Sequence, residues 1–382
     1  MSTTTRTTFQ RGNAMRKHTM GALVALATVG LLAGCAGGTT EPGADPTNAQ
    51  GDFVVDGELI ASAADFEAAK EEGTLVFYTG ASEVSEKEVT DAFTKLTGIP
   101  VEIVRLAPNK LQERILSENA AGKLGADLVR ISGEDLIVAL ADDDVFQPTA
   151  LTDDISGALL DGASFEDGLY FNSFDRVYSF GYNDQVLGED EAPQNWADLV
   201  KPEYAGQVGI VQVGAGGSTA ALTRFQFDVL GEQWMKDLAA NEPRIFDSSA
   251  NLTDALARGE IAVGAVPVGT AYSAILDGAP ITIAMPEEGA AAYPFYLGQT
   301  ASTQRSHAAT VFINWLLSAD GQTLAASIGD YPVNSGAPTP TIGDVELPAV
   351  DSGFVYRSTL EESLANLQSD AALWMQIFDY TG

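Results

Sequence analysis

Four short stretches carry glycine, serine or threonine where an apolar strand pattern gives way to a helical one. They are Thr79-Gly80-Ala81-Ser82, Ser132-Gly133, Gly214-Ala215-Gly216-Gly217-Ser218-Thr219 and Ser248-Ser249. At such a junction free backbone N–H groups and hydroxyls converge on the positive end of a helix dipole, an arrangement that suits an anion. The same residues also make ordinary helix caps, so both roles stay open for each stretch. Arg130 closes a strand beside the second stretch. Its planar fork offers either a bidentate grip on phosphate or carboxylate, or a salt bridge within this acidic chain. Tyr272 adds a phenol after the apolar run Ile261 to Val266. The candidate ligand-binding residues are therefore Thr79, Gly80, Ser82, Arg130, Ser132, Gly217, Ser218, Thr219, Ser249 and Tyr272.

Other chemistry is excluded by what is scarce. Arg16, Lys17 and His18 precede an uncharged stretch from Met20 to Leu32, the pattern of an export signal. At helical rise that stretch covers about 20 Å, short of the roughly 30 Å hydrocarbon core. It ends in Leu32-Ala33-Gly34-Cys35, similar to a bacterial lipobox, so Cys35 is expected to carry the lipid that anchors the exported chain. Cys35 is the only cysteine, and beyond it His307 is the only histidine. Disulfides, a cysteine nucleophile, a thiolate zinc site and the usual histidine-rich metal centres are thereby ruled out. His307 opens a helical run after Ser306, where an exposed first-turn role is expected rather than a catalytic one. An enzyme on this chain, such as a transferase or hydrolase, would have to work through an isolated Asp or Glu. No cofactor is expected.

Basic residues number 20 and acidic ones 53; the segment before Cys35 holds four basic and no acidic residues, leaving 16 against 53 after it. Such a chain repels nucleic acid and anionic membrane surfaces. Residues 36–61 are read as a flexible tether, rich in Gly, Thr, Pro, Ala and Asp through about Gln50. From Ser62 a regular alternation begins. Phe66 to Glu72 reads as a helix capped by Ser62, Leu75 to Thr79 as a strand, and Val89 to Leu96 as a helix stopped by Gly98. Val101 to Arg105 and Asp127 to Ile131 follow as strands, and Leu136 to Leu140 marks another helix. The pattern restarts with a strand at Val208 to Val213, a long helix at Ser218 to Leu230 and a strand at Ile261 to Val266. Helices alternating with short apolar strands predict an α/β chain of two lobes with mostly parallel sheets, and ligands at the carboxyl ends of their strands. Trp196, Tyr204 and Trp315 are read as packing residues.

Several ordered segments between Gly73 and Pro338 resemble the family-1 extracellular solute-binding proteins of ABC importers, in their ferric-iron-transport branch. They include Gly73-Thr-Leu-Val-Phe-Tyr-Thr79, Phe93-Thr-Lys-Leu-Thr-Gly-Ile99, Gly125-Ala-Asp-Leu-Val129 and Tyr182-Asn183. Asn195-Trp-Ala-Asp-Leu199, Pro202-Glu-Tyr-Ala-Gly-Gln-Val208, Arg258-Gly-Glu-Ile-Ala-Val-Gly264 and Phe312-Ile-Asn-Trp-Leu-Leu-Ser318 follow in the family's order. The resemblance implies a type II periplasmic-binding-protein-like fold, with two crossing hinge strands and a ligand cleft between lobes. It places the crossings near Tyr178 to Asn183 and Tyr296 to Thr303. Lobe 1 would span 62–181 and 297–335, lobe 2 182–296, and a connector with a last helix 336–382, after a signal peptide at 1–35. It also implies a monomer that hands a small molecule or ion to a membrane permease. Iron-binding members use paired tyrosines, whereas this chain has no Tyr-Tyr and has Gly80-Ala81-Ser82-Glu83 after its first strand. Ferric ion as cargo, held by Tyr272 with Glu83, Tyr182 or a bound anion, and a phosphorylated or carboxylated organic solute are the two ligand classes left open.

Overall fold

The structure, a computed structural model, describes residues 46–343, 345–349 and 352–381. The export signal, Cys35 and the first part of the tether lie outside the described residues. The tether expected through residue 61 is folded well before that point. Strands β1 (Phe53–Val55) and β2 (Glu58–Ala61) form a hairpin, and Phe53 stacks on Phe66 at 4.5 Å. Asp56 and Gly57 turn the hairpin with φ of 49° and 91°, the left-handed pair that a tight β-turn requires.

The first half of the fold follows as α1 (Ala63–Glu72), β3 (Leu75–Thr79), α2 (Glu83–Thr97), β4 (Val101–Arg105), α3 (Pro108–Ala120), β5 (Leu128–Ser132) and α4 (Glu134–Asp142). These match the alternation read from the sequence. Ser62 Oγ accepts from the Asp65 N–H at 3.2 Å, and Gly98 ends α2 in the left-handed region at φ 78°. Then come β6 (Phe146–Gln147), α5 (Asp153–Ala158), β7 (Ser164–Phe165) and the 14-residue β8 (Tyr170–Asn183).

The second half contains β9 (Val208–Val211), α6 (Gly217–Phe225), α7 (Gly231–Ala240), β10 (Arg244–Phe246), α8 (Ser249–Ala257), β11 (Val263–Pro267), α9 (Val268–Leu276) and β12 (Ile281–Ile283). The long helix expected over Ser218 to Leu230 is shorter. It passes into a π turn at Gln226–Leu230, and Gly231, with φ of 88°, redirects the chain into α7. The 11-residue β13 (Ala290–Thr300) carries the chain back to α10 (Ser306–Leu317) and α11 (Ala319–Ser327). The last elements are β14 (Thr341–Ile342), β15 (Val345–Glu346), β16 (Val355–Tyr356) and α12 (Leu360–Ile377).

Eight strands make one continuous path in the order β10-β9-β11-β8-β13-β5-β3-β4. Neighbours are parallel within β3, β4 and β5 and within β9, β10 and β11, whereas β8 and β13 run antiparallel at the centre. Both crossing strands are longer than the sequence suggested: β8 and β13 pair with each other over Phe171–Tyr178 and Ala291–Leu297, and their outer ends are held by β11 and β12 and by β5 and β6. Each half has its own aromatic core. Phe93 packs on Phe312 at 4.9 Å and on Trp315 at 5.3 Å in one. Trp196 packs between Phe180 at 5.0 Å and Phe225 at 5.8 Å in the other. Trp196, Tyr204 and Trp315 are all buried, and the Trp196 indole N–H donates to Gly289 O at 2.9 Å. Helix α12 packs across α6 and α7 and also reaches α4. No helix among the described residues is long and apolar enough to cross a membrane.

Candidate functional site

The carboxyl ends of β3 and β5 face those of β9 and β11, and the helices leaving them set the polar groups of the site. A cavity of about 370 Å³ lies between the first turns of α2 and α9. Ser82 and Ser85 line it from α2, Thr270, Tyr272 and Ser273 from α9, and Arg176 and Tyr293 from the two central strands. Neither helix has a side-chain cap: Ser82 makes no capping bond, and the α9 cap position is Pro267. The first-turn N–H groups of both helices are therefore without intrahelical acceptors. Together with the surrounding hydroxyls they form a donor-rich wall that suits an anion.

Arg176 forms the floor. Its guanidinium donates from Nε and Nη2 to the two Asp330 oxygens at 2.7 and 3.2 Å, and lies over the rings of Phe174 and Phe295 at 5.2 and 5.0 Å. Burial works against its charge, but the Asp330 carboxylate outweighs that and its pKa is raised. Burial likewise raises the Tyr293 phenol, against the opposing effect of Arg176, so that it remains a neutral hydrogen-bonding group.

The other residues singled out in the sequence are distributed around this cavity rather than gathered in it. Thr79, Gly80, Arg130 and Ser132 sit together on the buried edges of β3 and β5. Thr79 Oγ1 donates to Glu86 at 2.7 Å, and the Gly80 N–H donates to Arg130 O at 2.9 Å. Arg130 is 1 % exposed and donates from Nη1 to Glu86 at 2.8 Å, with Phe77 and Phe174 on its faces. Its Nε and Nη2 have no protein partner among the described residues, and Arg130 lines a void of about 10 Å³, the scale of one water.

Gly217, Ser218 and Thr219 open α6. Thr219 Oγ1 donates to the carbonyls of Val213 and Gly216, both at 2.8 Å, so this hydroxyl closes its own loop. Gly217 lines a separate cavity of about 230 Å³, with Asn109, Glu134 and, from α12, Leu367 and Gln368. Ser249 lies in the first turn of α8, 3.1 Å from the Tyr178 hydroxyl. Of the ten candidates, then, only Ser82 and Tyr272 share the 370 Å³ cavity. Arg176, Tyr293 and Asp330 escaped the sequence reading. Arg176, a lone cation inside the apolar β8, was the one visible signal, but its partner lies 154 residues away.

His307 occupies the first turn of α10, half exposed, with Nδ1 3.2 Å from an Asp65 oxygen. Among the described residues no three His, Cys, Asp or Glu side chains come together as a metal-ligand set.

Residues 88–349 match the model of the bacterial extracellular solute-binding protein family. A "Putative 2-aminoethylphosphonate-binding periplasmic protein" of Salmonella typhimurium is 23 % identical over 299 residues, covering 75 % of this chain and 86 % of that protein. An "Fe(3+)-binding periplasmic protein" of Serratia marcescens is 23 % identical over 315 residues, covering 75 % and 88 %. A stretch of 168 residues is 31 % identical to an uncharacterized protein of Haemophilus influenzae, and spans 46 % of that protein. Among solved structures, iron-bound HitA of Pseudomonas aeruginosa superposes with a TM-score of 0.65 at 19 % identity, covering 80 % of this chain and 99 % of that one. AfuA of Actinobacillus pleuropneumoniae, with fructose-6-phosphate bound, superposes with a TM-score of 0.64 at 18 % identity, covering 81 % and 99 %. These likenesses fix the type II periplasmic-binding-protein fold, and the matched proteins are transport receptors, which leaves the competing enzyme reading without support. The chain belongs to the bacterial extracellular solute-binding proteins, the receptors that serve ABC importers.

Proposed function

We propose that this receptor captures a phosphorylated or carboxylated organic solute in the 370 Å³ cavity between α2 and α9 and delivers it to its permease as a lipid-anchored monomer. The observation that carries this reading is the pair of helix starts without side-chain caps, opening on a wall of hydroxyls. Two relatives add support: one is named for 2-aminoethylphosphonate, and one structural neighbour holds fructose-6-phosphate. Lobe 1 is assigned to 62–181 and 297–335, lobe 2 to 182–296, and the rest from 336 to a connector and closing helix. β8 and β13 would then act as the hinge about which the lobes close. Cys35 is the proposed point of lipid attachment.

A thermal-shift screen tests the ligand class. Binding to the native state stabilises by RT ln(1 + [L]/Kd), about 2.7 kcal/mol at a hundredfold excess over Kd. Phosphonates, sugar phosphates and carboxylates are expected to raise the melting temperature more than ferric citrate does. A visible tyrosinate-to-iron absorption band with ferric citrate, and no response to any anion, would overturn the proposal in favour of ferric cargo.

A further inference from the structure

A second cavity, of about 260 Å³, lies on the other face of the central strands. Along β13 the residues alternate: Tyr293 faces the solute cavity, whereas Ala292, Pro294 and Tyr296 face this one. A bulge between β8 and β13 at Pro294/Tyr296 brings both Asn172 and Asp175 to the same side. The segment Tyr356 to Leu360, leading into α12, covers it. None of the ten residues singled out in the sequence lines it.

Its walls carry more negative than positive side chains. Among the described residues, Glu134, Asp161 and Asp175 bring three carboxylates to it, and Arg357 is the one basic side chain. That guanidinium is already engaged, donating from Nε to Asp175 Oδ2 at 2.5 Å. Asn172 donates from Nδ2 to Asp175 Oδ1 at 2.8 Å, which turns its carbonyl oxygen away from Asp175. Asn172 is 9 % exposed, yet among the described residues its Oδ1 has no protein partner, and neither does the buried Ser358 Oγ. Burial, with help from Asp135 and Asp175, raises the Glu134 carboxyl to about 7. A buried polar atom without a partner is costly; the Asn172 carbonyl oxygen can only accept, so it calls for a hydrogen-bond donor from outside the chain, beside which the Ser358 hydroxyl can also accept. Phe165, Tyr296 and Tyr356 supply aromatic surface beside them, favourable to a cation.

We propose that this cavity is a binding site for a small primary amine, whose ammonium donates to Asn172 Oδ1, Ser358 Oγ and the Glu134 carboxylate while the acidic walls balance its charge. The site is independent of the anion reading, because it lies on the opposite face of β8 and β13.

Calorimetric titration of the full chain at pH 8 with ethanolamine and with 1,4-diaminobutane tests it. Saturable binding is expected, with at least a tenfold loss of affinity in both Glu134→Gln and Ser358→Ala. Tetramethylammonium, which has charge but no N–H, is expected not to bind. On a chain with 53 acidic residues, diffuse cation binding is the main alternative. Binding that survives Glu134→Gln unchanged, or equal binding of tetramethylammonium, would show that alternative and sink the proposal. Absence of any saturable amine binding to the wild-type chain would do the same, leaving a merely hydrated cavity. The thermal response to anions, measured on the same variants, is expected to stay as in wild type, so failure here is separable from failure of the anion reading.

Discussion

Gly133 and Gly217 meet backbone to backbone across the two halves of the fold: a Cβ built on Gly217 would lie 2.8 Å from Gly133 Cα and 3.0 Å from its nitrogen. Gly133 ends the β5 edge and Gly217 begins α6, so this contact exists only while the facing sheet edges are closed on each other. Gly217→Val is therefore expected to disfavour the closed arrangement selectively. Solute affinity should fall about tenfold, equivalent to about 1.4 kcal/mol. The radius of gyration from solution scattering should rise, with little loss of melting temperature. Unchanged scattering and affinity would mean that the two edges do not close in solution as they do here.

Tyr272 and Ser82 line one cavity, whereas Ser218 does not line it. Tyr272→Phe and Ser82→Ala should each weaken binding of the best anion from the thermal screen by about 0.5–3 kcal/mol, the span between neutral and charge-assisted hydrogen bonds. The double variant should depart from additivity, because both side chains face one ligand. Ser218→Ala should leave affinity unaltered. Calorimetry on the four proteins distinguishes this from a site centred on the α6 start, where Ser218→Ala would be the damaging change.

Arg130 and Glu86 form an ion pair in which both side chains are 1 % exposed. Removing one member leaves the other buried without its counter-charge, so Glu86→Gln or Arg130→Met should each destabilise by about 3–5 kcal/mol. Replacing both, as Glu86→Leu with Arg130→Met, should recover most of that loss. Urea unfolding of the three variants measures it. A double variant no better than the singles would show that Thr79 Oγ1, which also bonds Glu86, depends on the carboxylate for the loop after β3 to form.

Glu134 makes stability depend on pH in a direction opposite to that of most carboxylates. Its pKa in the fold is about 7 against an ordinary value of 4.5, so the native state favours the protonated form. The contribution is full below about 4.5 and is lost as pH rises through about 7. Facing it are Asp135 on its own helix, Asp175 from β8, Arg224 from α6, Asp370 from α12, and Arg357 and Asp161 across the cavity. Glu134→Gln, which mimics the protonated state, should raise the urea midpoint at pH 8.5 and leave it unchanged at pH 4.5. Equal effects at both pH values would place the Glu134 carboxyl in water.

Cys35→Ser should abolish lipid attachment and move the protein from the membrane pellet to the soluble fraction, with the fold intact. Two acyl chains, at about 0.8 kcal/mol for each buried CH₂, are enough for stable anchoring. If the Ser variant pelleted as fully as wild type, membrane attachment would have to come from another part of the chain.

Local pattern alone determined much of this protein. Strand and helix periods located Leu75–Thr79, Val101–Arg105 and α10 to within a residue or two, because each carries in its own residues the apolar spacing of its element. Scarcity of histidine and cysteine narrowed the chemistry before any fold was known. The β1–β2 hairpin was legible too, in the turn pair Asp56-Gly57 between apolar runs, but a composition-based reading of the tether hid it. What only the tertiary structure decided was which polar groups meet. Arg176 finds Asp330, Arg130 finds Glu86, and Asn172 finds Asp175. Thr79, Arg130 and Thr219 read alike as ligand donors in the chain, yet each is occupied by an internal partner once the strands pair. The reason is physical: a backbone pattern reports burial one element at a time, whereas hydrogen-bond partnership at these sites depends on which elements the crossings of β8 and β13 bring face to face.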